Sequence, residues 1–102
     1  MRLTDLQANV IRDSVVKNFG RTTRVWLFGS RVDEQRKGGD IDLYIEPEFQ
    51  DAARLVDAKL NLLRDIHKKL GEQKIDVVIR REAFKEDLPI FRVARETGVR
   101  LL

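Results

Sequence analysis

Gly29 and Ser30 stand nine residues ahead of the run Asp40-Ile41-Asp42, and a third aspartate, Asp76, lies inside the apolar segment Ile75 to Ile79. Aspartates at i and i+2 of a strand project from one face, with Cα atoms roughly 6.5–7 Å apart. That separation lets both carboxylates reach one small cation, or two adjacent ones. Asp76 is unfavourable in so apolar a run unless something binds it. An ion pair with Lys74 or Arg80 is one way to satisfy it, and a cation shared with the first pair is another. If the two strands are neighbours, three carboxylates meet on one patch and, without a cation, repel one another. Hard oxygen ligands in this number suit Mg2+ or Mn2+, held jointly with the oxygens of a phosphate.

Gly29-Ser30 supplies the complementary half. A glycine directly after a buried strand lets a phosphate approach the backbone, and a helical turn after it would aim free N–H groups at the anion. Ser30 adds a hydroxyl donor, and Arg31 is a cation that could contact phosphate or face solvent. A phosphate cradle beside carboxylate-held divalent metals is the equipment of nucleotidyl transfer, where positioning and charge neutralisation carry the catalysis. Taken singly, each feature has an ordinary reading. Gly-Ser is a common turn, Asp-x-Asp a solvated edge, and Ser30 with Asp33 a helix cap. Their order, spacing and strand context together point to chemistry.

The elements that must hold these residues can be read from periodicity. Ala8, Ile11, Val15 and Phe19 form an apolar stripe, Thr4 and Gln7 have capping-box spacing, and Gly20 can close a helix in a left-handed turn. A first helix is therefore expected from about Thr4 to Phe19. Arg24 to Phe28 reads as a buried strand, and the polar stretch Arg31 to Gly39 is long enough for a short helical turn. Asp40 to Glu46 alternates, with Ile41, Leu43 and Ile45 facing one way and Asp40, Asp42 and Tyr44 facing the other, solvent-accessible side. Pro47 stops it. A second helix is expected from Asp51 to Leu70, with Val56, Leu60, Leu63 and Leu70 on one face and Gly71 at its end. Lys74 to Arg80 alternates again. A last helix covers about Leu88 to Thr97, with Pro89 in its first turn. This order predicts an α/β (α+β) fold, a small mixed sheet with helices packed on one face, in one domain spanning residues 1–102.

Composition narrows the class. The chain has 102 residues, 42% of them apolar, and no cysteine, which excludes a disulfide framework, a zinc ribbon and a thiol nucleophile. No apolar run approaches a membrane span and the first residues lack the apolar stretch of a signal peptide, so a soluble cytoplasmic protein is expected. The 20 Lys+Arg against 17 Asp+Glu leave a surplus of only +3, with the signs interleaved. No basic-aromatic platform accompanies it, and direct nucleic-acid binding is not expected. His67, beside Lys68 and Lys69, reads as part of a solvated face, Trp26 as packing in the sheet, and Tyr44 as flanking the site without chemistry.

Gly29-Ser30, the nine-residue gap, Asp40-Ile41-Asp42 and the late Asp76 resemble the DNA polymerase β-like nucleotidyltransferase superfamily, and within it the minimal nucleotidyltransferase (MNT) group of prokaryotes. The resemblance runs from Trp26 to Glu46, through the second helix and the Asp76 strand, to the ending Ile90 to Val99. One departure is Val32-Asp33-Glu34, where many relatives carry a small residue and a glycine. The resemblance implies that Asp40, Asp42 and Asp76 bind the divalent metals, with Asp76 the natural candidate for a base. It implies that Gly29 and Ser30 hold the triphosphate of ATP, and Arg31 is a further candidate for a phosphate contact. It also implies a partner. MNT proteins pair with HEPN-domain toxins as antitoxins, and characterised members transfer AMP from ATP to a tyrosine of the toxin. A hetero-oligomer is the corresponding expectation, with the apolar residues Leu88, Ile90, Phe91, Val93, Ala94, Val99, Leu101 and Leu102 as a docking candidate. Val93 and Ala94 are the more expected of these to close the chain's own core. Other readings remain: an antitoxin that neutralises its partner by occlusion, a transferase for a small hydroxylated acceptor or RNA end, and plain nucleic-acid binding.

Overall fold

Thr4 caps the first helix as its spacing predicts: its Oγ1 accepts from the Gln7 amide at 3.1 Å, and the Gln7 side chain accepts from the Thr4 amide at 2.9 Å. The computed structural model describes residues 3–29, 41–82 and 88–102. They form α1 (Asp5–Phe19), β1 (Arg24–Phe28), β2 (Ile41–Glu46), α2 (Ala52–Leu70), β3 (Ile75–Ile79), α3 (Pro89–Thr97) and β4 (Val99–Arg100). The strands make one mixed sheet in the order β3-β2-β1-β4. β1 runs antiparallel to both β2 and β4, whereas β2 and β3 run parallel with α2 as their crossover. The α+β class and the mixed sheet agree with expectation. The short β4 had no counterpart in the sequence reading.

The stripe on α1 packs as expected, with Ile11, Val15 and Phe19 fully buried. They meet Val25, Leu27, Ile41, Leu43 and Ile45 from the sheet and Leu55, Ala58, Leu62 and Ile66 from α2 in one core. The buried face of α2 is thus a different one from the Val56-Leu60-Leu63-Leu70 face singled out by spacing. Both sets recur at helical intervals, and only the sheet selects between them; Val56 and Leu60 are left 59% and 61% exposed.

The expectation of helices on a single sheet face requires correction. α1 and α2 cover one face, but α3 covers the other, where Phe91 and Ala94 pack on Trp26 and Tyr44 in a second apolar cluster. The physical reason is that Trp26 and Tyr44 give that face enough apolar area to need a cover. Within the C-terminal segment, Phe91, Ala94 and Leu101 are buried, whereas Val93, expected in the core, is 52% exposed and Ile90 is also exposed. Leu101 is held by its amide donating to the Val25 carbonyl at 2.8 Å and by its carbonyl accepting from Arg12 Nε at 2.7 Å.

Gly20 ends α1 with φ 107° and ψ 161°, so it has a positive φ but not the left-handed helical turn expected. The chain instead leaves along an extended path beside Glu48, whose Oε1 accepts from the amide and hydroxyl of Thr22 at 3.2 and 2.9 Å. A Cβ at Gly20 would overlap that carboxylate. Among the described residues no helix is long and apolar enough to cross a membrane.

Candidate active site

Ile41, Leu43 and Ile45 of β2 turn into the main core, which directs Asp42, Tyr44 and Glu46 to the opposite face. Register then decides what they meet. Asp42 is the partner of Phe28 on antiparallel β1 and of Asp76 on parallel β3. Partners in adjacent strands share a face, and their backbones lie about 4.8 Å apart. Asp42 and Asp76 therefore project side by side, Asp42 half-buried and Asp76 exposed. This is a tighter juxtaposition than the i, i+2 spacing along a single strand provides.

Gly29 follows β1 directly, with φ at 76°. A Cβ built there would overlap Oδ2 of Asp42 and lie 3.2 Å from its Cγ. The main chain of Gly29 is thus pressed against the carboxylate, and a group bound by Asp42 is within reach of that backbone.

Of the expected site residues, the structure brings together Gly29, Asp42 and Asp76. Ser30, Arg31 and Asp40 lie outside the described residues, as does the expected helical turn from Arg31 to Gly39. Among the described residues no group of three or more His, Cys, Asp or Glu side chains could hold a metal ion, and Asp40 is not one of them. The two carboxylates that are described fit a hard divalent cation by donor type and by their adjacent register.

Sequence reasoning missed what lies beside them on the same face. Tyr44 is fully buried, its ring 5.4 Å from that of Trp26 and 5.5 Å from that of Phe91. Its hydroxyl donates to Glu46 Oε2 at 2.8 Å and accepts from Arg95 Nη1 at 3.4 Å. Arg95 also approaches Glu46 Oε2 at 3.7 Å, and Arg80 stacks its guanidinium 4.9 Å from the centre of the Phe91 ring. Burial, followed by the hydrogen bond to Glu46, pushes the Tyr44 phenol above its ordinary value of 10.0. Tyr44 is therefore a structural hub under α3 rather than an accessible flank. Strand parity was the available signal: Glu46 lies two residues from Tyr44 and shares its face. Trp26 packs in the sheet as expected. His67 is exposed at the far end of α2, its Nε2 2.8 Å from the Gln73 carbonyl oxygen.

No protein-family model matches the chain, and no curated protein matches it either.

Proposed function

We propose that this chain is a metal-dependent nucleotidyltransferase that moves AMP from ATP to a tyrosine of a HEPN-type toxin in the cytoplasm, and so acts as its antitoxin. The observation that carries this reading is the in-register pairing of Asp42 with Asp76 beside the backbone of Gly29. Aspartates in this arrangement have no apolar packing to make and are suited to hold divalent ions. Asp40, Asp42 and Asp76 would hold Mg2+ or Mn2+, which supplies charge neutralisation on the phosphate oxygens. The resemblance noted in the sequence gives the donor and the acceptor class.

In this reading Gly29 and Ser30 bind the triphosphate and Arg31 contacts it. The tyrosine hydroxyl oxygen attacks the α-phosphorus of ATP. The bond from that phosphorus to the bridging oxygen breaks and pyrophosphate leaves. Asp76, the more exposed of the two described carboxylates, takes up the phenolic proton. The acceptor is presented by the partner, and the two proteins form a hetero-oligomer.

The test uses ATP labelled at the α-phosphate, Mg2+ and the co-purified partner. Asp42→Asn or Asp76→Asn is expected to reduce label transfer at least about a hundredfold while the circular dichroism spectrum is unchanged. Unchanged labelling in the Asp40→Asn/Asp42→Asn protein overturns the mechanism. Suppression of the partner's toxicity by that same double variant would instead identify an antitoxin that acts by occlusion.

A further inference from the structure

We infer that the outer face of α2 is a self-association surface, and that its occupant is a second copy of this chain packed antiparallel across a two-fold axis. Val56, Leu60, Leu63, His67 and Leu70 follow one another at intervals of four, three, four and three residues. That is the spacing of a helix-pairing seam. It is not the stripe that faces the sheet, which is Leu55, Ala58, Leu62 and Ile66. Val56 and Leu60 are 59% and 61% exposed, and Leu63 and Leu70 are half-buried. A seam with this much apolar surface on one helix asks for a cover.

The charges beside the seam say what covers it. Asp57 and Arg64 flank the seam on the same side. In an antiparallel pair that sets Leu60 against the copy's Leu63, positions 57 and 64 of opposite chains fall next to each other. The axis makes this happen twice, so both flanking positions meet an opposite charge. A parallel arrangement would instead bring Lys59 beside Arg64 of the copy, two like charges. Arg64 is engaged within its own helix through Asn61, and its guanidinium retains further donors.

The neighbouring surface is compatible with the same axis. The seam is continuous with an open groove of about 240 Å³ lined by Val56, Lys59, Val77 and Ile79, among others. β3 forms one edge of the sheet. A two-fold axis normal to the sheet reverses α2 and β3 together, so the two helices and the two sheet edges approach in matching antiparallel directions.

Sedimentation velocity on the full chain, across a concentration series spanning roughly two decades, gives the test. A monomer–dimer equilibrium is expected. Leu60→Glu and Asp57→Arg should each weaken it about tenfold or more. Arg64→Asp should do the same alone, and Asp57→Arg with Arg64→Asp should restore association. All three positions are on the surface of α2, and far-UV circular dichroism verifies that the variants fold. A monomer at every concentration overturns the inference, even if a different protein binds the seam. So does a dimer that ignores these substitutions, or a charge-swapped pair that fails to recover. Asp42→Asn is expected to leave the dimer unchanged, so failure of the transfer chemistry and failure of this interface are separately visible.

Discussion

At Gly29 a side chain would have to occupy space taken by the Asp42 carboxylate, and φ of 76° is a region that L residues rarely adopt. Both effects act on the same substitution. Gly29→Ala is expected to lower stability by about 1–2 kcal/mol, read from the shift of the urea midpoint. It should also reduce transfer by more than the lost folded fraction accounts for, because relief of the overlap displaces Asp42. A variant of normal stability and full transfer rate would show that the contact carries no weight. Asp42 and Asp76 were legible in the sequence because alternation assigns each a face without knowledge of its neighbours. The contact of Gly29 with Asp42 was not, since it depends on the register of β1 against β2. Nor was the Tyr44-Glu46-Arg95 cluster, whose members come from β2 and α3.

Helix boundaries and strand positions followed from local chemistry, but the assignment of helices to layers did not. α2 carries two apolar stripes at helical intervals, and local periodicity cannot rank them; the one that meets the sheet is selected by packing with α1 and β2. α3 is the clearer case. Its Phe91 is 2% exposed and closes the second cluster over Trp26 and Tyr44, on the same sheet face as the aspartate pair. Phe91→Ala should therefore cost about 3 kcal/mol, in the range found when a buried aromatic is truncated. The loss should be accompanied by a changed near-UV circular dichroism signal from Trp26 and Tyr44. A loss well under 1 kcal/mol would mean that α3 is not held by this contact. β4 escaped notice because two residues are too few to show alternation, and only their pairing with Trp26 and Leu27 defines them.

For the molecule as a whole, the titrating groups bound a stability plateau on both sides. Folded Tyr44 keeps its proton to a higher pH than the unfolded chain, where the phenol has its ordinary value of 10.0. Its contribution is complete below that value and is lost as pH rises toward the raised one. At the acid end, Asp65 is held below 3.8, first by the hydrogen bond from Asn18 and then by Lys17, and Glu48 below 4.5 by Thr22. Their contribution is present above those values and is lost as pH falls through the lowered ones. Urea midpoints measured across pH should fall on both sides. Tyr44→Phe should flatten the alkaline limb and Asp65→Asn the acid limb. Limbs of unchanged steepness in these variants would assign the pH dependence to other groups.

The parallel pairing of β2 with β3 has a consequence for when the two aspartates come together during synthesis. Asp42 and Asp76 stand side by side only after α2 has crossed over and β3 has closed against β2. A nascent chain that has exposed β1 and β2 alone has Asp42 but not its partner Asp76. The carboxylate pair is thus a product of a long-range parallel contact, a slow kind to form, yet it can assemble before α3 and β4, which follow β3 in the chain, have docked.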